Sequence, residues 1–179
     1  MQTPVTSSLS PPTFVGTLAC AWGILGFFAL LIIAIGKLSL IAQTAISQGL
    51  TALQWLLLIA NCGFMAYSEG YKGFQKSYSP RLAARARYLL GNASVLQMLL
   101  APLFCMGFFN APRRRIITSI LLTLMIVIFI VAIRLLPQPW RGILDAGVVI
   151  GLAWGVIATS AFCIQAFTSD SFDIDAEVC

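Results

Sequence analysis

The sequence predicts an all-α fold: a polytopic transmembrane helical bundle of about five hydrophobic helices with a short interfacial amphipathic helix between the second and third. Three observations predict it. Apolar residues make up 59% of the chain and charged residues only 9%, with a mean hydropathy of +0.92, whereas about a quarter of the residues of a soluble domain are charged. The apolar residues come in long runs without the alternation of a barrel strand, and in hydrocarbon every backbone group must pair inside its own segment, which leaves helices. Lys and Arg collect at the ends of those runs. Residues 1–179 therefore read as one membrane domain.

The first expected span, residues 14–36, closes at Lys37 and is long enough for a hydrocarbon core of about 30 Å. No Lys or Arg precedes it, and the run exceeds a signal-peptide core, so a retained span is expected. A weakly polar connector, 38–48, leads to a second span, 49–67, which stops at Ser68-Glu69-Gly70.

Residues 67–88 are expected at the membrane surface. Tyr67, Tyr71, Phe74 and Tyr78 recur at i, i+4, i+7 and i+11, one stripe at helical spacing, with Glu69, Lys72 and Lys76 opposite. Ser79-Pro80 restarts the helix, because Ser caps and Pro is tolerated in the first turn. The cations Lys72, Lys76, Arg81, Arg85 and Arg87 then suit anionic lipid headgroups or a partner.

The third segment, 89–109, contains Asn92, Ser94, Gln97 and Pro102 and either spans or re-enters. Length favours five crossings, with the N-terminus cytoplasmic and the acidic end outside. Charge favours a re-entrant third segment, which brings Arg113, Arg114 and Arg115 to the side of Lys72 to Arg87 and both termini to the cytoplasm. The fourth span, 116–136, is the most apolar; Pro137 to Gly142 form a hairpin with an interfacial Trp140. The fifth span is 143–167, followed by an acidic tail, 168–179, expected to be solvated.

Among residues that can carry chemistry, histidine is absent, which excludes histidine-ligated haem, H-E-x-x-H zinc sites and Ser-His catalysis. Cys20, Cys62, Cys105 and Cys163 lie inside apolar runs and Cys179 ends the sequence, with no C-x-x-C, so neither a metal site nor a disulfide framework is indicated. No cofactor motif is found. Asp145, one turn after Arg141 and across the hairpin from Arg134, is the main intramembrane polar candidate; an Asp early in a helix also has a structural reading through the helix dipole. Gly147, Gly151 and Gly155, continued by Thr159 and Cys163, form a small-residue face for close helix packing, against an internal helix or another subunit.

Glu69-Gly70-Tyr71-Lys72-Gly73-Phe74-Gln75 with Ser79-Pro80-Arg81, and Leu136 to Ile143 with Asp145-Ala146-Gly147, are similar to segments of an uncharacterised group of bacterial integral membrane proteins. That resemblance implies a multi-pass protein of a bacterial inner membrane and supplies no catalytic or ligand residues. The function expected is a non-catalytic accessory, assembly or structural subunit of a membrane complex. Its partners would be anionic lipid and other membrane subunits or further copies of itself, and not nucleic acid. The alternatives are a small transporter or channel using Asp145 and Arg134, and an enzyme acting on lipid headgroups.

Overall fold

The computed structural model describes residues 13–169, 172 and 174–178. They are all-helical, without a strand among them. α1 runs from Phe14 to Ser47, capped by the Thr13 hydroxyl accepting from the Gly16 amide. It passes straight through Lys37, where the sequence led us to expect a stop. Residues 38–46 contain neither Gly nor Pro, and a lone Lys is a good helix former. The helix ends instead at Gly49, whose φ of +85° reverses the chain.

A capping box between Thr51 and Gln54 starts α2, Ala52–Met65. α2 continues without interruption into a π-helical segment, Ala66–Tyr78, and that into α3, Ser79–Asn92. The interfacial helix expected over 67–88 is thus the middle of one long helical run. The wider turns divide its aromatic stripe into two pairs. Tyr67 and Tyr71 stack on the outside, 6.0 Å between centroids. Phe74 and Tyr78 meet edge to face at 5.8 Å and join the core, where Tyr78 stacks on Phe27 of α1. The change back to α geometry falls at Ser79-Pro80, the expected restart. Ser79 is not a cap there; its hydroxyl bonds to Thr159.

The expected third span does not form as one helix. Past α3 the chain makes two single-turn helices, α4 (Val95–Leu99) and α5 (Ala101–Cys105), then turns at Gly107 and Asn110, both at positive φ. Local chemistry breaks the segment: Ser94 and Gln97 form a second capping box, and Pro102 sits in the first turn of α5. The pieces fold onto the N-terminal half of α1, where a β-carbon on Gly23 would lie 2.8 Å from Cys105 Sγ and one on Gly26 would lie 2.5 Å from Pro102. The chain then returns to the end of the bundle from which it came, because Phe109 and Asn110 carbonyls accept from Arg85 in α3.

α6, Arg113–Arg134, and α7, Trp140–Thr168, close the fold. α1, α6 and α7 are each long and apolar enough to cross a membrane, which marks a membrane-embedded protein; the five crossings expected are not established. α7 is the central element. It runs antiparallel to α1, with Gly142 against Ala45, and parallel to the α2–α3 run, with Gly147 beside Asn61 and Thr159 beside Ser79. α6 is different: from Ile120 to Ala132 every residue is exposed, and Ile133 is its one buried side chain. A helix apolar on all sides and covered on none suits lipid.

Within the acidic tail, residues 170, 171, 173 and 179 lie outside the described residues. Of the rest, Ile174 and Asp175 are exposed, while Phe172 and residues 176–178 fold back and are half-buried. Ala176 and Glu177 carbonyls accept from Arg85, the Glu177 carboxylate pairs with Arg115 at 2.8 Å, and Phe172 and Val178 pack against the core.

Candidate functional site: a polar seam along the last helix

The small residues of α7 face inward. A β-carbon on Gly151 would approach Glu69 Oε2 to 2.8 Å, and one on Gly155 would meet the Phe74 ring at 2.7 Å. Gly70 returns the favour from the π segment, leaving room for the Trp154 side chain at 2.8 Å. The glycine ladder is therefore satisfied internally, and the partner left open by the sequence is the α2–α3 run. Close backbone approach is what the missing side chains permit.

Polar groups line this seam from end to end. Asn61 Nδ2 donates to the Ile143 carbonyl at 2.9 Å, and Trp154 Nε1 donates to Gln75 Oε1 at 2.9 Å. Ser79 and Thr159, both fully buried, share a hydrogen bond of 2.8 Å. Glu69 lies against Gly151 without an ion pair or hydrogen bond to another described residue. Its neighbours Lys72 and Lys76 turn away from it: their ammonium groups sit 4.9 Å above the Tyr67 ring and 4.8 Å above the Tyr71 ring, on the exposed side.

Asp145 is 4% exposed and its Oδ2 lies 3.8 Å from Arg141 Nε. Neither atom has a hydrogen-bond partner among the described residues. Arg134 is exposed at the end of α6 and makes no ion pair with Asp145.

No protein-family model matches the chain, and no curated protein or solved structure does. The seam is accordingly read from its geometry.

The cations assigned from sequence to lipid headgroups separate into three environments. Lys72 and Lys76 are exposed beside the seam. Arg85 is 3% exposed. Its Nε donates to the Phe104 carbonyl at 2.7 Å, its Nη atoms reach carbonyls of Phe109, Asn110, Ala176 and Glu177, and its guanidinium lies 4.2 Å from the Phe104 ring. It is a cross-link between chain segments and not a headgroup contact. Arg81 and Arg87 lie at the same end, bonded to Ser77 Oγ at 3.3 Å and to the Ser169 carbonyl at 3.4 Å.

Sequence reasoning missed the docking of Glu69 on Gly151, the capture of the tail and the role of Arg85. A signal was present for the first alone: Glu69 and the glycine ladder are the acidic and small-residue features of two apolar segments. For Arg85 the partners are main-chain carbonyls, which leave no trace in residue type.

Proposed function

We propose that the protein is a non-catalytic accessory or assembly subunit of a membrane complex, and that its α2–α3 run crosses the bilayer beside α7. The observation that carries the reading is the exposure of Lys72 and Lys76 beside the middle of a spanning helix. Hydrocarbon takes about 20 helical residues, and α7 has 29, so any embedded stretch includes Gly151 to Gly155, the residues that touch Glu69 and Phe74. α6 supports a central position for the bilayer, because its apolar residues lie between Arg113–Arg115 at one end and Arg134 at the other.

A charge at that depth faces protein or water and not acyl chains. Among the described residues no carboxylate pairs with Lys72 or Lys76, and their aromatic neighbours cover one side of each ammonium group. A partner helix bearing acidic or carbonyl groups completes them. The arginine-rich end, with both described termini, faces the cytoplasm by the positive-inside rule, in keeping with a bacterial inner membrane.

Purification from mild detergent tests this reading. The wild-type chain should carry a stoichiometric membrane partner, and the double variant Lys72→Ala, Lys76→Ala should lose it. Because both side chains are exposed, the variant's own stability should change by no more than about 0.5 kcal/mol per site. A wild-type chain that purifies alone and monomeric, or a double variant that retains its partner, would exclude the proposal.

A further inference from the structure

At the arginine-rich end the chain holds a carboxylate against a guanidinium cluster. Glu177 Oε2 accepts from Arg115 Nε at 3.0 Å and from Arg115 Nη2 at 2.8 Å. Arg81 precedes by one helical turn Arg85, whose Nη1 donates to the Glu177 carbonyl at 3.2 Å, and Arg113 and Arg114 are exposed beside Arg115 on the first turn of α6. The cluster stands where α6 leaves its apolar stretch, the level at which lipid phosphates lie. Its inner wall is Arg85, which binds the Phe104, Phe109 and Asn110 carbonyls besides those of the tail. Among the described residues, the tail is held by two carbonyls on Arg85, one carboxylate on Arg115, and the partly buried Phe172 and Val178.

We propose that Arg81, Arg113 and Arg115 form a binding site for an anionic phospholipid headgroup, and that Glu177 of the C-terminal tail is its internal occupant, displaced when the lipid binds. A phosphate diester presents oxygens to a guanidinium as a carboxylate does. The Arg115–Glu177 pair suits an exchangeable contact. Its side chains are 21% and 38% exposed, and pairs of such exposure are weak enough to be exchanged. The proposal does not depend on a protein partner for Lys72 and Lys76.

The test uses the full-length protein in a neutral detergent, titrated with phosphatidylglycerol or phosphatidylcholine and read by native mass spectrometry. Tail position is read by labelling Val178→Cys with a water-soluble maleimide, located by peptide mapping. Phosphatidylglycerol should bind and raise the labelling rate, and phosphatidylcholine should do neither. Glu177→Gln should tighten phosphatidylglycerol binding by about fivefold, the factor that a pair of this exposure carries. Arg115→Gln should free the tail and weaken the lipid, so the two variants share tail release and diverge in lipid affinity. Unchanged lipid binding in Glu177→Gln, or labelling indifferent to phosphatidylglycerol, would overturn the proposal. So would inorganic phosphate at equal concentration releasing the tail as well as the lipid does, since the site would then read a free oxyanion.

Discussion

Arg85 shows how far a single residue's role can lie from its sequence context. Arg81 and Arg85 fall one turn apart on a helix, the pattern of a headgroup-facing surface, and only one of them has that exposure. The carbonyls that surround Arg85 come from residues 104–110 and 176–177, brought there by a hairpin and a returning tail that local periodicity does not encode. A buried guanidinium is tolerated because several carbonyls replace its water. Arg85→Gln shortens the side chain and removes most of its donors, so that carbonyls such as that of Phe104 lose their bond, at about 1–3 kcal/mol for each group left buried without one. The variant should melt well below wild type in detergent, and Arg85→Lys should recover only part of the loss, because one ammonium group cannot span five acceptors. An Arg85→Gln protein with wild-type thermal stability would show that the cross-link is dispensable.

At the scale of elements, hydropathy located the apolar helices, and glycine spacing identified the inward face of α7. Both are properties of residues close in sequence. The π-helical geometry of 66–78 was not legible, because the stripe read at 3.6 residues per turn is equally present in an ordinary helix; packing against Gly151 and Gly155 accompanies the wider turn. The third apolar segment does not form one continuous helix, for a reason visible in its polar residues and Pro102. The seam yields a comparison of two substitutions. Gly151→Leu forces a side chain toward Glu69, whose Oε2, Cβ and Cδ lie within 3.2 Å of the position its β-carbon would take, and overpacking of this kind costs typically about 1–3 kcal/mol. Val149→Leu changes a half-buried position away from the ladder and should cost less than about 0.5 kcal/mol. Thermal denaturation of both variants in the same detergent separates them; equal melting temperatures would mean that the seam is loose.

For the whole molecule, composition sufficed to establish a membrane protein, and charge distribution favoured the arrangement in which residues 89–109 turn back. The structure carries the charge argument further by collecting Arg81, Arg85, Arg87 and Arg113–Arg115 at the end shared by Thr13 and Glu177. Length points to a spanning third segment and takes no account of the Ser94–Gln97 capping box and Pro102 within it. Reporter fusions at Ala111 and at the C-terminus should give the same compartment, and fusions at Gly49 and Pro137 the opposite one. Opposite readings at Ala111 and the C-terminus would restore a spanning third segment.

The central position of α7 bears on how the protein is made. A ribosome makes α1 and the α2–α3 run long before residues 140–168 emerge, yet Asn61, Ser79 and Ala45 of α1 find their partners on that last helix. During synthesis these groups must be sheltered by the insertion machinery, since the hydrocarbon offers them nothing. A chain that stops after Leu136 keeps every charged residue of the run without the helix that organises it. Pulse labelling should find such a truncated chain degraded within minutes of release while the complete chain persists, and a long-lived truncation would mean that the early helices assemble without the last.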